Sequence, residues 1–212
     1  RALVTGSSLG IGRAIAADLL REGAAVIING RDADRLAAAA EELSAAGDVT
    51  VAAADLSDAA GAESLLDQIG APIDILVNNV GVFTVKPFFE ISDDEWTDMF
   101  QLNVMSGVRL ARALMPAMLE DGWGRIIFIG SDQSEKPNPV MAHYAMSKTA
   151  QVSVARSLAE LTVGTGVTVN SVLAAPTWTD GVEAFMKQMA EIEGTTPEAM
   201  SKEYFAGGEG RT

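Results

Sequence analysis

The chain has 212 residues, 48% hydrophobic and 21% charged, a globular composition long enough to bury one core and read as a single domain over 1–212. Its formal net charge of −14 argues against a nucleic-acid surface or an anionic membrane as partner, although backbone N–H groups and a few arginines suffice to hold a small anion. The absence of cysteine excludes a disulfide framework, a thiolate nucleophile and a thiolate metal site; it is compatible with a reducing cytosol, and a cytoplasmic protein is expected. No apolar run approaches the ~18 residues of a membrane span. The sequence opens on Arg1-Ala2-Leu3-Val4, already strand-like, so any targeting peptide would lie outside it.

In chain order, short apolar, β-branched runs alternate with longer Ala-rich or amphipathic stretches. Strands are expected at Ala2–Thr5, Ala25–Asn29 and Val49–Ala53, followed in turn by helices at Ile11–Glu22, Ala33–Ala46 and Ala59–Ile69. A strand at Ile73–Val77 leads to one long helix at Asp93–Glu120, a strand at Gly124–Ile129 to a helix at Ala142–Val163, and a sixth strand at Val167–Val172 follows. Such alternation predicts a parallel sheet with helices on both faces. Right-handed crossovers make it doubly wound, a Rossmann-like α/β fold. From Thr179 to Thr212 the chain is methionine- and acid-rich, predicting one or two helices and a closing turn at "AGGEGRT", with no seventh strand. Trp178, Phe185, Met186 and Met189 there allow an apolar lid, although methionines at helical spacing more often pack in a core.

The segment "LVTGSSLGIGRAIA" follows the first strand and opens the first helix. Gly6, Gly10 and Gly12 form G-x3-G-x-G, which lets backbone turn tightly and approach a pyrophosphate at a helix N-terminus. Ser8 and Ile11 lie in the same loop. A plain strand-to-helix turn explains many such triplets, and the missing Gly-Lys-Ser/Thr excludes a Walker A loop. At the end of the second strand, where an acidic residue would bind an unmodified ribose, the chain has Gly30 and Arg31. Arg31 suits a 2′-phosphate, with Ser8 and Arg35 as helpers and Asp32 and Asp34 opposing, so NADP(H) is favoured over NAD(H). Asp55, after the third strand and beside Leu56, either accepts from an adenine amino group or caps the next helix.

In "HYAMSK", Tyr144 precedes Lys148 by one helical turn, so phenol and ammonium share a face. A nearby cation lowers a tyrosine pKa from its usual value of about 10, which suits a general acid or base. Taken alone, the spacing equally describes a surface pair. His143, the sole histidine, is expected at a substrate pocket or the surface rather than as the base, because adjacent helical residues face differently.

"TGSSLGIG", "NNVG" (Asn78–Gly81), "LNVMSG" (Leu102–Gly107), Ser131 and "YAMSK" (Tyr144–Lys148) occur together, Ser131 thirteen residues before Tyr144. On these segments, from Leu3 to about Thr179, the chain resembles the short-chain dehydrogenase/reductase family. The resemblance implies hydride transfer between a nicotinamide dinucleotide and a ketone or secondary alcohol. It implies that Tyr144 is the acid, that Ser131 orients the carbonyl oxygen, and that Lys148 binds the nicotinamide ribose and lowers the Tyr144 pKa. It further implies that Asn103 holds a relay water, and that Asn79, Gly81 and Thr179 contact the cofactor. No metal is implied. The long helices at Asp93–Glu120 and Ala142–Val163 resemble the family's four-helix contact, implying a homo-oligomer, a dimer or a tetramer.

Two departures stand out. Ala174-Ala175 occupy the place where the family commonly has Pro-Gly, which puts that loop's usual path in question. No segment of this sequence matches the family's seventh strand, whether through shortening, an omitted tail or natural variation, and a sheet edge left uncovered would be prone to pair with another chain. The substrate classes implied are small ketones, 3-oxoacyl thioesters and sugar-like or cyclic ketones; the opening "TGSSLGIGRAIA" and the length resemble the branch that contains 3-oxoacyl carrier-protein reductases. The alternative is a non-catalytic dinucleotide-binding or regulatory protein on the same fold.

Overall fold

The β-branched runs pair and the Ala-rich runs coil, so the six expected strands and the intervening helices form in the computed structural model, which describes residues 1–206. Arg1–Leu173 and the stretch beginning at Ala174 are two compact units. The first carries β1 (Ala2–Val4), α1 (Gly10–Arg21), β2 (Val26–Gly30), α2 (Ala33–Leu43), β3 (Val49–Ala53), α3 (Ala59–Ile69) and β4 (Ile75–Asn78). Then come α4 (Asp93–Phe100), α5 (Ser106–Asp121), β5 (Gly124–Ser131), α6 (Ala142–Leu161) and β6 (Val167–Ala174), whose last residue opens the second unit.

The sheet is parallel, in the order β3-β2-β1-β4-β5-β6. Leu3 pairs with Ile27 on one side and Leu76 on the other. The order reverses between β1 and β4, leaving a crevice beyond their carboxyl ends. Helices cover both faces, which is why β1 and β2 are near-continuous apolar runs rather than alternating ones. Leu3, Ile27, Leu76, Ile126 and Phe128 build the core with Leu65 of α3 and Leu110 and Met118 of α5.

The expected single helix at Asp93–Glu120 is interrupted. Its first part begins at a capping box, with Ser92 and Glu95 satisfying each other's backbone N–H groups. At Gln101–Met105 the backbone widens into a π-helical turn before α5 resumes. Such turns concentrate at functional positions, and this one contains Asn103.

β6 extends two residues beyond the expected strand. Among the described residues every left-handed φ belongs to glycine, so Ala174-Ala175 follow a path that needs no left-handed backbone. No seventh strand occurs among the described residues, and β6 is an edge strand with Val172 and Leu173 exposed. In the second unit, α7 (Asp180–Glu193) and α8 (Pro197–Ala206) pack on each other. Thr179 caps α7, and Met186 and Ala190 are buried, in keeping with a core role for that methionine. The side chain of Phe185, named for the lid, and the closing turn over 207–212 lie outside the described residues.

Candidate active site and cofactor cleft

The crevice begins with the turn after β1. Ser7 donates to the Val4 carbonyl at 2.7 Å and accepts from the Asn29 N–H at 3.0 Å, tying this turn to β2. Gly6 has φ +60°, and a Cβ there would meet the Val80 Cα at 2.9 Å. A Cβ on Gly12 would sit 2.5 Å from the Gly6 carbonyl oxygen and against the Asn79 amide. Asn79 explains the tightness: its amide nitrogen donates to the carbonyls of Thr5 and Gly6, both at 2.9 Å. The Thr5 hydroxyl accepts from the N–H groups of Asn79 and Val80 at 3.0 Å each. Asn79 therefore braces the glycine loop.

No side chain caps α1, whose cap position is Leu9, and its first turn has no acidic residue. The first-turn amides of Gly10, Ile11 and Gly12 are thus presented without a competing carboxylate, in a cradle that larger residues would fill. By contrast, α2 and α3 are capped by Asp32 and Asp58.

Ser8 and Arg31 flank the end of β2, the Ser8 hydroxyl 3.4 Å from where a Gly30 Cβ would stand. Asp32 accepts from the Arg35 N–H at 3.0 Å and lies 3.8 Å from its guanidinium, so those two charges offset each other. Arg31 is exposed and makes no ion pair among the described residues. Asp55 is not the cap of α3: it accepts from the Ser57 N–H at 3.0 Å, while Asp58 accepts from Gly61 at 2.8 Å. Both aspartates stand in "DLSD", and backbone geometry chooses the one nearer the helix. The Leu56 side chain lies in the core, which leaves only its backbone for a ligand.

The remaining candidate residues lie on four separate segments. Ser131 ends β5, with its hydroxyl accepting from the Gln133 N–H at 3.2 Å and donating to an Asp132 carboxylate oxygen at 3.1 Å. Lys148 is 5% exposed and donates to the Ile129 carbonyl at 2.8 Å; burial pulls its pKa down to about 8. Its ammonium lies 5.7 Å from the Tyr144 ring centroid, so the expected shared face forms. Phe83, after β4, meets the same ring edge-on, with centroids 6.0 Å apart. A Cβ on Gly81 would lie 3.3 Å from the Asn103 amide oxygen and 3.5 Å from the Lys148 ammonium, which places these three residues together.

Asn103 is wholly buried and its side chain fully engaged. It accepts from the Val82 N–H at 2.9 Å and donates to the Val82 carbonyl and the Ser147 hydroxyl, both at 2.9 Å. Its main-chain carbonyl accepts from Gln151 at 2.6 Å. Ser147 and Gln151 are partners that the motifs did not single out. A usable signal existed for Gln151: Tyr144, Lys148 and Gln151 stand at i, i+4 and i+7, and a glutamine on that stripe calls for a buried partner.

His143 is buried rather than at the surface. Its Nε2 is 2.6 Å from the Thr84 hydroxyl and its ring meets Trp96 edge-on at 5.8 Å. Burial lowers its pKa, which Glu95 opposes and Lys86 reinforces. Glu95 is held down at about 2, chiefly by the Lys86 ammonium and then by Ser92. His143 thus fastens the segment after β4 to the start of α6. Thr179, expected at the cofactor, uses its hydroxyl to accept from the Val182 N–H in the second unit. Among the described residues no helix is long and apolar enough to cross a membrane.

A six-stranded parallel sheet with a glycine cradle at its switch point, and a Ser-Tyr-Lys set on β5 and α6, defines a nicotinamide-dinucleotide-binding oxidoreductase. The profile of the short chain dehydrogenases matches residues 1–190. Over 205 residues the chain is 47% identical to the uncharacterized oxidoreductase YvrD of Bacillus subtilis, covering 96% of this chain and 78% of that protein. Over 174 residues it is 38% identical to the 3-oxoacyl-[acyl-carrier-protein] reductase FabG of Escherichia coli, covering 81% and 70%. The structure of L-sorbose reductase from Gluconobacter frateurii, complexed with NADPH and L-sorbose, superposes with a TM-score of 0.88 at 30% identity, covering 93% of this chain and 77% of that one. The chain belongs to the short-chain dehydrogenase family.

Proposed function

We propose that this protein is an NADP(H)-dependent reductase of small ketones, working in reverse as an alcohol dehydrogenase when concentrations favour it. The observation that carries the reading is buried Lys148, packed beside Tyr144, Gly81 and Asn103 with its pKa pulled down to about 8. The cradle of Gly6, Gly10 and Gly12 receives the pyrophosphate, with Asn79 bracing it and Ser8 and Arg31 receiving a 2′-phosphate. Asp55 and the Leu56 backbone face the adenine, and the family resemblance also assigns Thr179 to the cofactor. The bound NADPH of the sorbose reductase supports the phosphate preference.

The bound nicotinamide supplies the hydride. Tyr144 gives its phenolic proton to the carbonyl oxygen, which Ser131 orients by a hydrogen bond. The Lys148 ammonium lowers the Tyr144 pKa and holds ribose hydroxyls, and the Asn103 main-chain carbonyl, which keeps a lone pair beside Gln151, holds the water through which the proton is replaced. The single domain over 1–212, a dimer or tetramer formed through the long helices, and a cytoplasmic setting belong to the same proposal.

Fluorescence titration with NADPH and NADH is the first test, with NADPH bound more tightly. Arg31→Ala weakens NADPH about tenfold and leaves NADH nearly unchanged. Tyr144→Phe lowers ketone turnover about a thousandfold while NADPH binding survives. Retained turnover in Tyr144→Phe removes the acid assignment, and NADPH binding without turnover of any ketone favours the non-catalytic alternative.

A further inference from the structure

The Ser131 hydroxyl has one proton, and in this structure that proton points at a carboxylate. Asp132 accepts it at 3.1 Å, while the Gln133 N–H donates to the Ser131 hydroxyl oxygen at 3.2 Å. Ser131 is buried and Asp132 half-buried. Among the described residues Asp132 forms no ion pair, and Ser131 is the only side chain that its carboxylate contacts by a hydrogen bond. A hydroxyl can accept twice but donate only once. If Ser131 is to donate to a carbonyl oxygen, its proton must leave Asp132, and the carboxylate then loses a charge-assisted hydrogen bond.

We propose that Asp132 makes this site select ketones bearing a hydroxyl on the carbon next to the carbonyl. The substrate hydroxyl donates to Asp132 in place of Ser131, and the freed Ser131 proton turns to the carbonyl oxygen. The Ser131–Asp132 hydrogen bond is exchanged for two, substrate hydroxyl to Asp132 and Ser131 to the carbonyl oxygen, with no net proton transfer. A plain ketone offers no replacement donor, so its binding in the reactive pose costs the carboxylate that hydrogen bond. This inference rests on the reading of Ser131 as the group that orients the carbonyl.

The test compares hydroxyacetone with butan-2-one, which replaces the hydroxyl by a methyl group, using the purified protein and NADPH. The expected result is a kcat/KM about tenfold or more higher for hydroxyacetone. In Asp132→Ala the ratio falls towards one, with butan-2-one turnover rising as hydroxyacetone turnover drops. Asp132→Asn, which keeps an accepting oxygen without the charge, gives an intermediate ratio and stands in should the alanine variant not fold. No preference in the parent protein, or a ratio unchanged in both variants, overturns the inference alone. Should neither ketone be reduced, nor propane-1,2-diol or butan-2-ol oxidised with NADP⁺, while NADPH still binds, the reductase reading falls and this inference falls with it.

Discussion

The glycine loop and the Lys148 cluster are built in opposite ways. Gly6 to Gly12 is one contiguous turn, determined by backbone crowding against itself and against Asn79 and Val80. The cluster draws Gly81 from one loop, Asn103 from a π-helical turn, and Tyr144, Lys148 and Gln151 from α6. The loop has almost no spare volume at Gly6 and Gly12, where even a methyl group would collide. The cluster instead holds a charge away from water, so its weak points are protonation and hydrogen bonding rather than shape.

Three substitutions sharpen that contrast. Gly12→Ala puts a methyl group within 2.5 Å of the Gly6 carbonyl oxygen. It is expected to destabilise the protein by about 3 kcal/mol through overpacking and to abolish dinucleotide binding. Thermal melting and the NADPH titration check both effects, and normal affinity would show that the loop yields.

Lys148→Met acts in the opposite direction. In the parent protein the Lys148 pKa falls from 10.5 when unfolded to about 8 when folded. Between those values the unfolded chain holds more protons, so this group makes stability rise with pH from about 8 to 10.5. Its full penalty is present below about pH 8 and is gone above about 10.5. Removing the charge relieves about 3 kcal/mol at neutral pH, offset by about 1 kcal/mol for the lost bond to Ile129. The variant should therefore be inactive yet melt higher at pH 7, by about 2 kcal/mol in stability, with the gain disappearing by about pH 10.5. A pH-independent difference in melting would refute the buried-charge account.

Gln151→Leu is the mildest change. It removes the 2.6 Å bond to the Asn103 carbonyl but also an amide oxygen that is buried without a partner. A net loss of about 1 kcal/mol is expected, with NADPH affinity unchanged. Faster amide exchange confined to the turn around Asn103 would locate the effect, whereas uniform loosening would argue that Gln151 only fills space.

Much of this molecule is legible in its sequence because the signals are local. Strand and helix positions follow from apolar runs and their periods, and α3 begins and ends where the pattern places it. The glycine spacing and the Tyr144–Lys148 step are likewise readable within one turn of chain. The break at Gln101–Met105 is not, because the bonds that hold Asn103 run to Val82, Ser147 and Gln151, as far as 48 residues away. The burial of His143 depends in the same way on Thr84 and Trp96.

The sequence by itself therefore determined the alternating architecture, the parallel sheet, the glycine cradle and the family, since each rests on residue type and short spacing. Tertiary structure alone decided that Asp58 rather than Asp55 caps α3, that Asn79 braces the loop, and that the Ser131 proton faces Asp132. It also decided how far the Lys148 pKa falls. Those outcomes turn on which distant groups exclude water and which oxygen lies within hydrogen-bond reach, and no local pattern encodes either.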